Sequence, residues 1–294
     1  MAGGRASLGD LQERRAGTAH PGSLGLAQVE VRVEVDDADP LQPGVAGQRG
    51  RERLVRAPRD LMAAAEPNGA VPGPQRCGHA LRAGHRTIGL GGGHEIAWAS
   101  YQALASALAG EPRLQRVGVV NFDAHFDLRQ AERPGVGSSG TPFLQIAEAR
   151  AAAGQSFSYL CLGISETANT QALFDRAKAL GVRYVTDVEI DAPQSEQALR
   201  SFVAANDTVY CTFCLDVLPP AVAPGVSAPS GLGVPLHRAI ALLRLLVTEC
   251  RGAGGPDKLM LADVAEYSPP HDAPDGRTGR TAARIVYELA ALHR

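Results

Sequence analysis

The chain has 294 residues with 29 basic and 31 acidic side chains, so its net charge of −2 creates no overall field that attracts nucleic acid or a membrane surface. Its only lysines are Lys178 and Lys258, which excludes a phosphate-binding loop ending in Gly-Lys-Ser/Thr. No apolar run approaches the ~20 residues that span a bilayer, and the first residues lack the apolar stretch of a secretory signal. Five cysteines, an odd number in a chain of this length, are typical of reduced proteins. We therefore expect a soluble, cytoplasmic protein.

The composition changes along the chain. Residues 1–86 contain no Phe, Tyr, Trp, Ile or Lys, and the first aromatic residue is Trp98. With so few bulky apolar side chains, the free energy gained by burial offsets little of the conformational entropy that the backbone loses on folding. We predict an atypical Gly/Ala/Arg/Pro-rich segment over residues 1–74, either disordered or produced by a misread start, and one main domain over 75–294. Within the first segment, residues 29–35 alternate apolar and charged side chains, which predicts an amphipathic strand.

Beyond residue 86, short apolar segments alternate with longer amphipathic ones. The apolar segments predict strands at 87–90, 117–122, 158–163, 182–185, 208–213 and 258–264. The intervening segments predict helices at 95–109, 143–153, 170–180, 196–205 and 236–250, with a last one at 278–293. This alternation is typical of an α/β fold of three layers, a parallel sheet with helices on both faces. In such sheets, ligands bind at the carboxyl ends of the strands.

Side chains that bind metals follow four of the predicted strands. They are His94, the alternating Asp123, His125 and Asp127, the pair Cys214 and Asp216, and finally Glu266. In extended backbone, alternate residues share a face, so each spaced set is predicted to point one way while Ala124 and Phe126 point into packing. Imidazole and carboxylate ligands suit Mn²⁺, Zn²⁺ or Fe. The set is larger than one tetrahedral site needs, which favours a two-metal hydrolytic centre.

Two other interpretations of these motifs are weaker. The glycines at 89 and 91 suggest a dinucleotide-binding loop, but His94 stands where that fingerprint has its third glycine. Cys211 and Cys214 have the spacing of a zinc or redox pair, but no second pair exists, and residues three apart on a strand face opposite sides. We therefore assign Cys211 to core packing.

The motifs together resemble the ureohydrolase (arginase-like) superfamily, and within it the formimidoylglutamase branch. The resemblance is carried by Gly-Gly-Gly-His-Glu at 91–95, Asn-Phe-Asp-Ala-His-Phe-Asp-Leu-Arg at 121–129, Ser-Ser-Gly-Thr-Pro-Phe at 138–143, Leu-Asp-Val-Leu-Pro at 215–219, Ala-Pro-Gly-Val-Ser-Ala-Pro at 223–229, Asp-Val-Ala-Glu at 263–266 and Asp-Gly-Arg-Thr at 275–278. It covers roughly residues 75–294. Phe143 replaces the histidine that arginase has in this loop, which argues against arginase itself.

The resemblance implies a binuclear manganese centre that hydrolyses N-formimidoyl-L-glutamate to L-glutamate and formamide, a step of histidine degradation. His94 and Asp127 would hold one ion, His125 and Asp216 the other, and Asp123 and the residue at 214 would bridge them. A hydroxide shared by the metals would attack the formimidoyl carbon.

The resemblance also implies roles for residues around the metals. Glu266 would bind the cationic nitrogen group of the substrate, and Asp127 would carry a proton to the leaving amine. Arg129 and Arg277 are candidates for the substrate carboxylates, since a guanidinium binds them through two hydrogen bonds. Each arginine is equally consistent with a structural ion pair.

The chain departs from the family at two places. Position 214 is aspartate in the family and Cys214 here, and a thiolate shifts the metal preference toward Zn²⁺ or Fe. Residues 1–74 lack the usual opening motifs. The alternatives are therefore another ureohydrolase, such as an agmatinase or guanidino-acid hydrolase, or a metal-depleted, non-catalytic member. In each case we expect a homo-oligomer with a small-molecule ligand and neither nucleic acid nor membrane as partner.

Overall fold

A computed structural model describes residues 29–32, 73–133, 136–252 and 257–291. Apart from residues 29–32, 73 and 74, the predicted N-terminal segment lies outside these ranges. The strands are β1 (Val29–Arg32), β2 (Thr87–Leu90), β3 (Val117–Phe122), β4 (Ser158–Ile164), β5 (Arg183–Thr186), β6 (Thr208–Cys214) and β7 (Leu259–Ala265). The helices are α1 (Gly73–Arg82), α2 (Ile96–Ala107), α3 (Pro142–Ala152), α4 (Gln171–Ala179), α5 (Pro193–Ala205), α6 (Leu236–Arg251) and α7 (Arg277–Ala291).

The strands form one sheet in the order β1-β2-β7-β6-β3-β4-β5. Strands β2 to β7 pair with one another in parallel, as the alternation of strands and helices predicts. Strand β1 pairs antiparallel with β2 at the edge, with Val29 opposite Leu90. It occupies the first part of the predicted strand at 29–35, whose residues 33–35 are outside the described ranges. The predicted α/β fold is thus confirmed, with one added antiparallel edge strand.

The buried apolar side chains form two clusters, one on each face of the sheet. One cluster packs α5, α6 and α7 against the sheet. The other packs α1, α2, α3 and α4 against the opposite face. Strand β3 shows how the sequence divides between them, because Val117 and Val119 belong to the second cluster while Val120 and Phe122 belong to the first. Alternate side chains of a fully buried strand reach both layers, which gives the three-layer arrangement.

Helix α1 is the one described helix that the sequence pattern does not predict. It contains Gly73, Pro74 and Gly78, which are poor helix formers. Tertiary packing compensates for the low helix propensity of this segment, because Leu81 is buried in the apolar cluster around α2. A Cβ at Gly78 would lie 3.4 Å from the carbonyl oxygen of Ala103, so glycine allows the two helices to approach closely. No helix among the described residues is long and apolar enough to cross a bilayer.

A candidate binuclear metal centre

The candidate site lies at the carboxyl ends of four adjacent strands, β2, β7, β6 and β3. The loop after β2 carries His94, and the segment after β3 carries Asp123, His125 and Asp127. Cys214 ends β6, Asp216 follows it, and Glu266 follows β7. All strands of this part of the sheet run in one direction, so residues far apart in sequence meet at one edge.

A first group of ligand atoms surrounds the Nδ1 nitrogen of His94. This nitrogen lies 3.0 Å from Oδ2 of Asp123 and 3.0 Å from Oδ2 of Asp127. The sulfur of Cys214 belongs to the same group, because the ligand atoms of His94, Asp123 and Cys214 all lie within 4.8 Å of one another. His94 and Asp123 are fully buried and Cys214 is 1 % exposed. One imidazole, two carboxylates and one sulfur thus meet in a largely buried site.

A second group shares Asp123 with the first. Its members are Asp123, His125 and Asp216, again with ligand atoms within 4.8 Å of one another. His125 Nδ1 lies 3.2 Å from Oδ2 of Asp216 and 3.6 Å from Oδ1 of Asp123. The two oxygens of Asp123 therefore face different histidines, Oδ2 towards His94 and Oδ1 towards His125. This arrangement suits a carboxylate that bridges two ions.

The backbone reaches this arrangement by a route that differs from the expected one. Strand β3 ends at Phe122, the chain bends at residues 124 and 125, and Asp127 has a left-handed backbone with φ of 48°. Asp216 lies in a 3₁₀ turn, Leu215–Val217, instead of an extended strand. The argument from alternation in extended backbone is therefore wrong for both motifs, although the side chains do meet. Ala124 and Phe126 are fully buried, as expected.

The carboxylates interact strongly because they are buried together. Burial and the charge of Asp123 raise the pKa of Asp127 to about 6 and that of Asp216 to about 7, against the opposing effect of the histidines. Burial opposes ionisation of Asp123 as well, but hydrogen bonds and charges from His125 and His94 lower its pKa overall. Burial lowers the pKa of His125, yet Asp123 and Asp216 together raise it to about 11. The site therefore favours positive charge at its centre.

The polar atoms left without partners test whether metal ions suit this site. Among the described residues, His94 Nδ1 and Asp216 Oδ1 are buried and have no hydrogen-bond partner. Buried polar atoms are otherwise almost always paired, so two orphans in one acidic pocket are unusual. The lone pair of a neutral imidazole and a carboxylate oxygen are both ligands for divalent metals. The residues present therefore fit a pair of such ions.

Glu266 directly follows β7 and lies beside the first group of ligand atoms. Its backbone is left-handed with φ of 67°, a conformation that costs free energy in a residue with a side chain. Oε1 accepts a hydrogen bond from the backbone NH of His94 at 2.8 Å, and Oε2 accepts one from the Ser227 hydroxyl at 2.9 Å. The carboxylate is 8 % exposed and its position is fixed by two separate loops. It retains lone pairs for a further donor.

The two candidate arginines lie in different surroundings. Arg129 is an exposed residue whose backbone NH donates to the Gly140 carbonyl oxygen at 2.8 Å, next to the 138–143 loop. Arg277, at the start of α7, forms an ion pair with Asp275 at 3.0 Å, and its side chain is 48 % exposed. Thr278 beside it is fully buried and accepts a hydrogen bond from the backbone NH of Gly225 at 2.8 Å. Thr278, the last residue of the 275–278 motif, thus anchors the loop that carries Ser227 through its hydrogen bond with Gly225.

Several residues around the metal ligands were not singled out from the sequence. Asn121 donates to Oδ2 of Asp123 at 2.9 Å, and Thr212 Oγ1 lies 2.9 Å from Nε2 of His94. Asp263 is fully buried in β7. Each is a polar residue within an apolar strand, and this pattern is the signal that could have identified them. Cys211, by contrast, lies in the apolar cluster on the α5–α7 face, as its assignment to the core predicts.

The comparison with known proteins identifies the family. Residues 74–291 match the sequence model of the Arginase family. The chain belongs to the arginase family. It is 44 % identical over 306 aligned residues to the formimidoylglutamase of Ralstonia nicotianae, an alignment that covers 91 % of each protein. It is 51 % identical over 213 residues to that of Aromatoleum aromaticum, covering 71 % of this chain and 59 % of the relative's length.

Solved structures of this family have the same fold. The crystal structure of Trypanosoma cruzi formiminoglutamase with Mn²⁺ superposes with a TM-score of 0.63 at 22 % identity, covering 75 % of this chain and 69 % of that one. At this identity the likeness concerns the fold alone. It places the three-layer parallel sheet of this chain among arginase-family folds.

Proposed function

We propose that this arginase-family chain hydrolyses N-formimidoyl-L-glutamate to L-glutamate and formamide at a binuclear metal centre. The observation that carries the proposal is the pair of ligand groups that share Asp123 at the carboxyl edge of the sheet. The formimidoylglutamase relatives at 44 % and 51 % identity supply the substrate class. The chain spans 59 % of the length of the Aromatoleum aromaticum relative.

The first ion would be held by His94, Asp127 and Cys214 and the second by His125 and Asp216, with Asp123 between them. Bound there, two divalent ions would supply a water made acidic enough to ionise near neutral pH. We favour Mn²⁺ because most of the ligand atoms are oxygens. The softer sulfur of Cys214 raises the relative affinity of the site for Zn²⁺ or Fe.

The remaining chemistry belongs to side chains of this chain. Addition of water to the formimidoyl carbon must be followed by cleavage of the bond to the glutamate nitrogen and protonation of that nitrogen. Asp127 is suited to carry this proton, because its side chain is 13 % exposed whereas those of Asp123 and Asp216 are 0 % and 5 % exposed. Glu266 is placed beside the first group to bind the cationic amidine by a charge-assisted hydrogen bond.

Recognition of two substrate carboxylates requires cations near the site. Arg129 is our first candidate, because its exposed side chain lies by the 138–143 loop and has no ion pair among the described residues. Arg277 is the second, and it would have to leave Asp275 or bind the substrate beside it. A substrate without carboxylates, such as agmatine, would use neither arginine.

A second candidate function follows from Cys214. A neutral thiol in place of a carboxylate removes one negative ligand from the first group, and a chain that binds its ions weakly could act as a non-catalytic subunit. Homo-oligomer formation stays a prediction for both candidates.

The test is formamide release by the full chain after reconstitution with Mn²⁺, compared among N-formimidoyl-L-glutamate, agmatine and arginine. We expect turnover of the formimidoyl substrate alone. Glu266→Gln should reduce kcat/KM by about 10²-fold or more, because it removes the charged partner of the amidine. Glu166→Gln, at an exposed position of the chain, is the matched control and should leave kcat/KM unchanged. Release of urea from agmatine or arginine, or no turnover with both ions bound, would contradict the proposal.

A further inference from the structure

Asp263 is a buried carboxylate that the proposed hydrolysis does not use. It is fully buried in β7, and no lysine or arginine of the described part of the chain forms an ion pair with it. Its Oδ2 accepts hydrogen bonds from the Ser100 hydroxyl at 2.6 Å and the Tyr210 hydroxyl at 2.5 Å. Its other oxygen, Oδ1, is buried and has no hydrogen-bond partner among the described residues. A buried carboxylate without a cationic partner, and with one oxygen unpaired, is costly and requires an explanation.

Thr212 lies between this carboxylate and the first metal ligand. It is fully buried in β6, directly opposite Asp263 in the register of β6 and β7. Burial raises the pKa of Asp263, and the neighbouring hydroxyl groups, including that of Thr212, oppose this rise. The same hydroxyl oxygen lies 2.9 Å from Nε2 of His94. The three side chains therefore form a line from the interior of the sheet to the metal centre.

The single hydrogen of the Thr212 hydroxyl determines which groups in this line donate hydrogen bonds and which accept them. Threonine has one hydroxyl hydrogen, and a carboxylate can only accept. With the Thr212 hydroxyl hydrogen directed towards the neighbouring carboxylate of Asp263, the hydroxyl oxygen is left to accept from His94, so the imidazole proton lies on Nε2. A neutral imidazole protonated on Nε2 has its lone pair on Nδ1. Nδ1 is the nitrogen that lies 3.0 Å from Oδ2 of Asp123 and 3.0 Å from Oδ2 of Asp127.

We propose that Thr212 and Asp263 are positioning residues that fix the orientation and tautomer of His94, so that Nδ1 binds the first metal ion. The inference rests on the metal centre of the proposed function. Partners of this kind behind a metal-binding histidine orient the ring and raise its affinity for the metal.

The experiment measures metal binding and needs no turnover. Full-length wild type, Thr212→Val and Thr212→Ser are equilibrated with graded Mn²⁺, and the ions bound at each of the two sites are counted. Thr212→Val keeps the shape of the side chain but removes the hydroxyl, and we expect its first-site affinity to fall 10–100-fold. Thr212→Ser restores the hydroxyl and should restore the affinity. The second site, at His125 and Asp216, should be unaffected in both variants.

Ser100→Ala is the matched control. Ser100 also donates to Asp263 but forms no hydrogen bond with His94 among the described residues, so this variant alters the carboxylate without breaking the line to the imidazole. We expect a much smaller loss of first-site affinity. Equal loss at both metal sites, or equal loss in Ser100→Ala and Thr212→Val, would show a general structural effect and overturn the inference. Unchanged first-site affinity in Thr212→Val would also overturn it.

A second measurement does not depend on a variant that folds. In the Zn²⁺-loaded protein with ¹⁵N-labelled histidine, His94 should have a protonated Nε2 and a metal-bound Nδ1. The reverse assignment would overturn the inference even if Thr212→Val cannot be purified. A wild type that binds two ions but hydrolyses nothing would contradict the proposed function and leave these tests of Thr212 intact.

Discussion

Cys214 is the side chain whose chemistry most distinguishes this metal centre. Burial, together with the charges of Asp123, Asp216 and Glu266, raises the pKa of its thiol, so it is neutral in the metal-free protein. A bound cation reverses this balance, because a thiol that coordinates a metal loses its proton. Sulfur is a softer ligand than carboxylate and favours Zn²⁺, Co²⁺ or Fe relative to Mn²⁺.

The first prediction concerns this ligand. With Co²⁺ bound, the wild type should show the charge-transfer absorption of a thiolate–cobalt bond, and Cys214→Ser should lack it. Cys161→Ser is the control, since this buried cysteine contacts the carbonyl oxygens of Asp123 and His125 at 3.7 Å but belongs to neither ligand group. An absorption that survives in Cys214→Ser would show that the sulfur does not bind the metal. Cys214→Asp should raise the affinity for Mn²⁺ relative to Zn²⁺.

At the scale of elements, the site depends on how turns after the strands are supported. The 3₁₀ turn Leu215–Val217, which carries Asp216, packs against an irregularity in β4 between Leu162 and Ile164. Gly163 at this irregularity has a φ of 105°, which side chains other than hydrogen rarely allow. A Cβ there would lie 2.5 Å from Cγ2 of Val217 and 2.8 Å from Cγ2 of Val234. The absence of a side chain at Gly163 thus allows β4 to pack directly against the 3₁₀ turn that carries Asp216.

The second prediction follows from this contact. Gly163→Ala should lower the free energy of unfolding by about 1–3 kcal/mol, because the methyl group overpacks the turn and the backbone is strained. Urea unfolding of the metal-free protein measures this loss, and Mn²⁺ titration should show weaker binding at the second site. Gly231→Ala, where a Cβ meets open space and φ is not positive, is the control and should change neither quantity. Equal stability of the two variants would refute the steric argument.

At the scale of the whole molecule, the metal centre joins β2, β3, β6 and β7, so its ions should stabilise the entire sheet. In the metal-free protein, the raised pKa values of Asp127 and Asp216, about 6 and about 7, mean that the folded state holds protons which the unfolded chain has already lost. Stability of the metal-free protein therefore falls as pH rises through this range. The raised pKa of His125 continues the same trend above its ordinary value.

The third prediction combines this trend with metal binding. Ions compete with those protons for the same side chains, so affinity rises with pH, and at a hundred times Kd the ions should add about 2.7 kcal/mol. Thermal unfolding with and without Mn²⁺ should show a difference in Tm that grows between about pH 5 and pH 7. Asp216→Ala removes one ligand and should reduce the difference. A difference in Tm that is constant over this range would contradict the prediction.

The order of strands and helices after residue 86 follows from hydrophobic periodicity and is confirmed nearly residue by residue for β2 and β3. Periodicity is informative there because the central strands β3, β4, β6 and β7 are buried on both faces and each helix on one. Helix α1 has no such signal, since its glycines and proline disfavour a helix and its contacts with α2 stabilise it. Helix α5 begins at Pro193, earlier than the apolar pattern indicates, because proline fits the first turn of a helix.

Residue types and their local spacing are sufficient to predict the layered α/β fold, the family and the side chains at the strand ends. The folded chain is needed to show that the two oxygens of Asp123 face different histidines, that left-handed backbone at Asp127 and Glu266 orients their carboxylates, and that Thr212 and Asp263 lie behind His94. These features join strands that are distant in the chain. No local pattern encodes them, since they arise from the register in which parallel strands pair and from the turns that packing imposes.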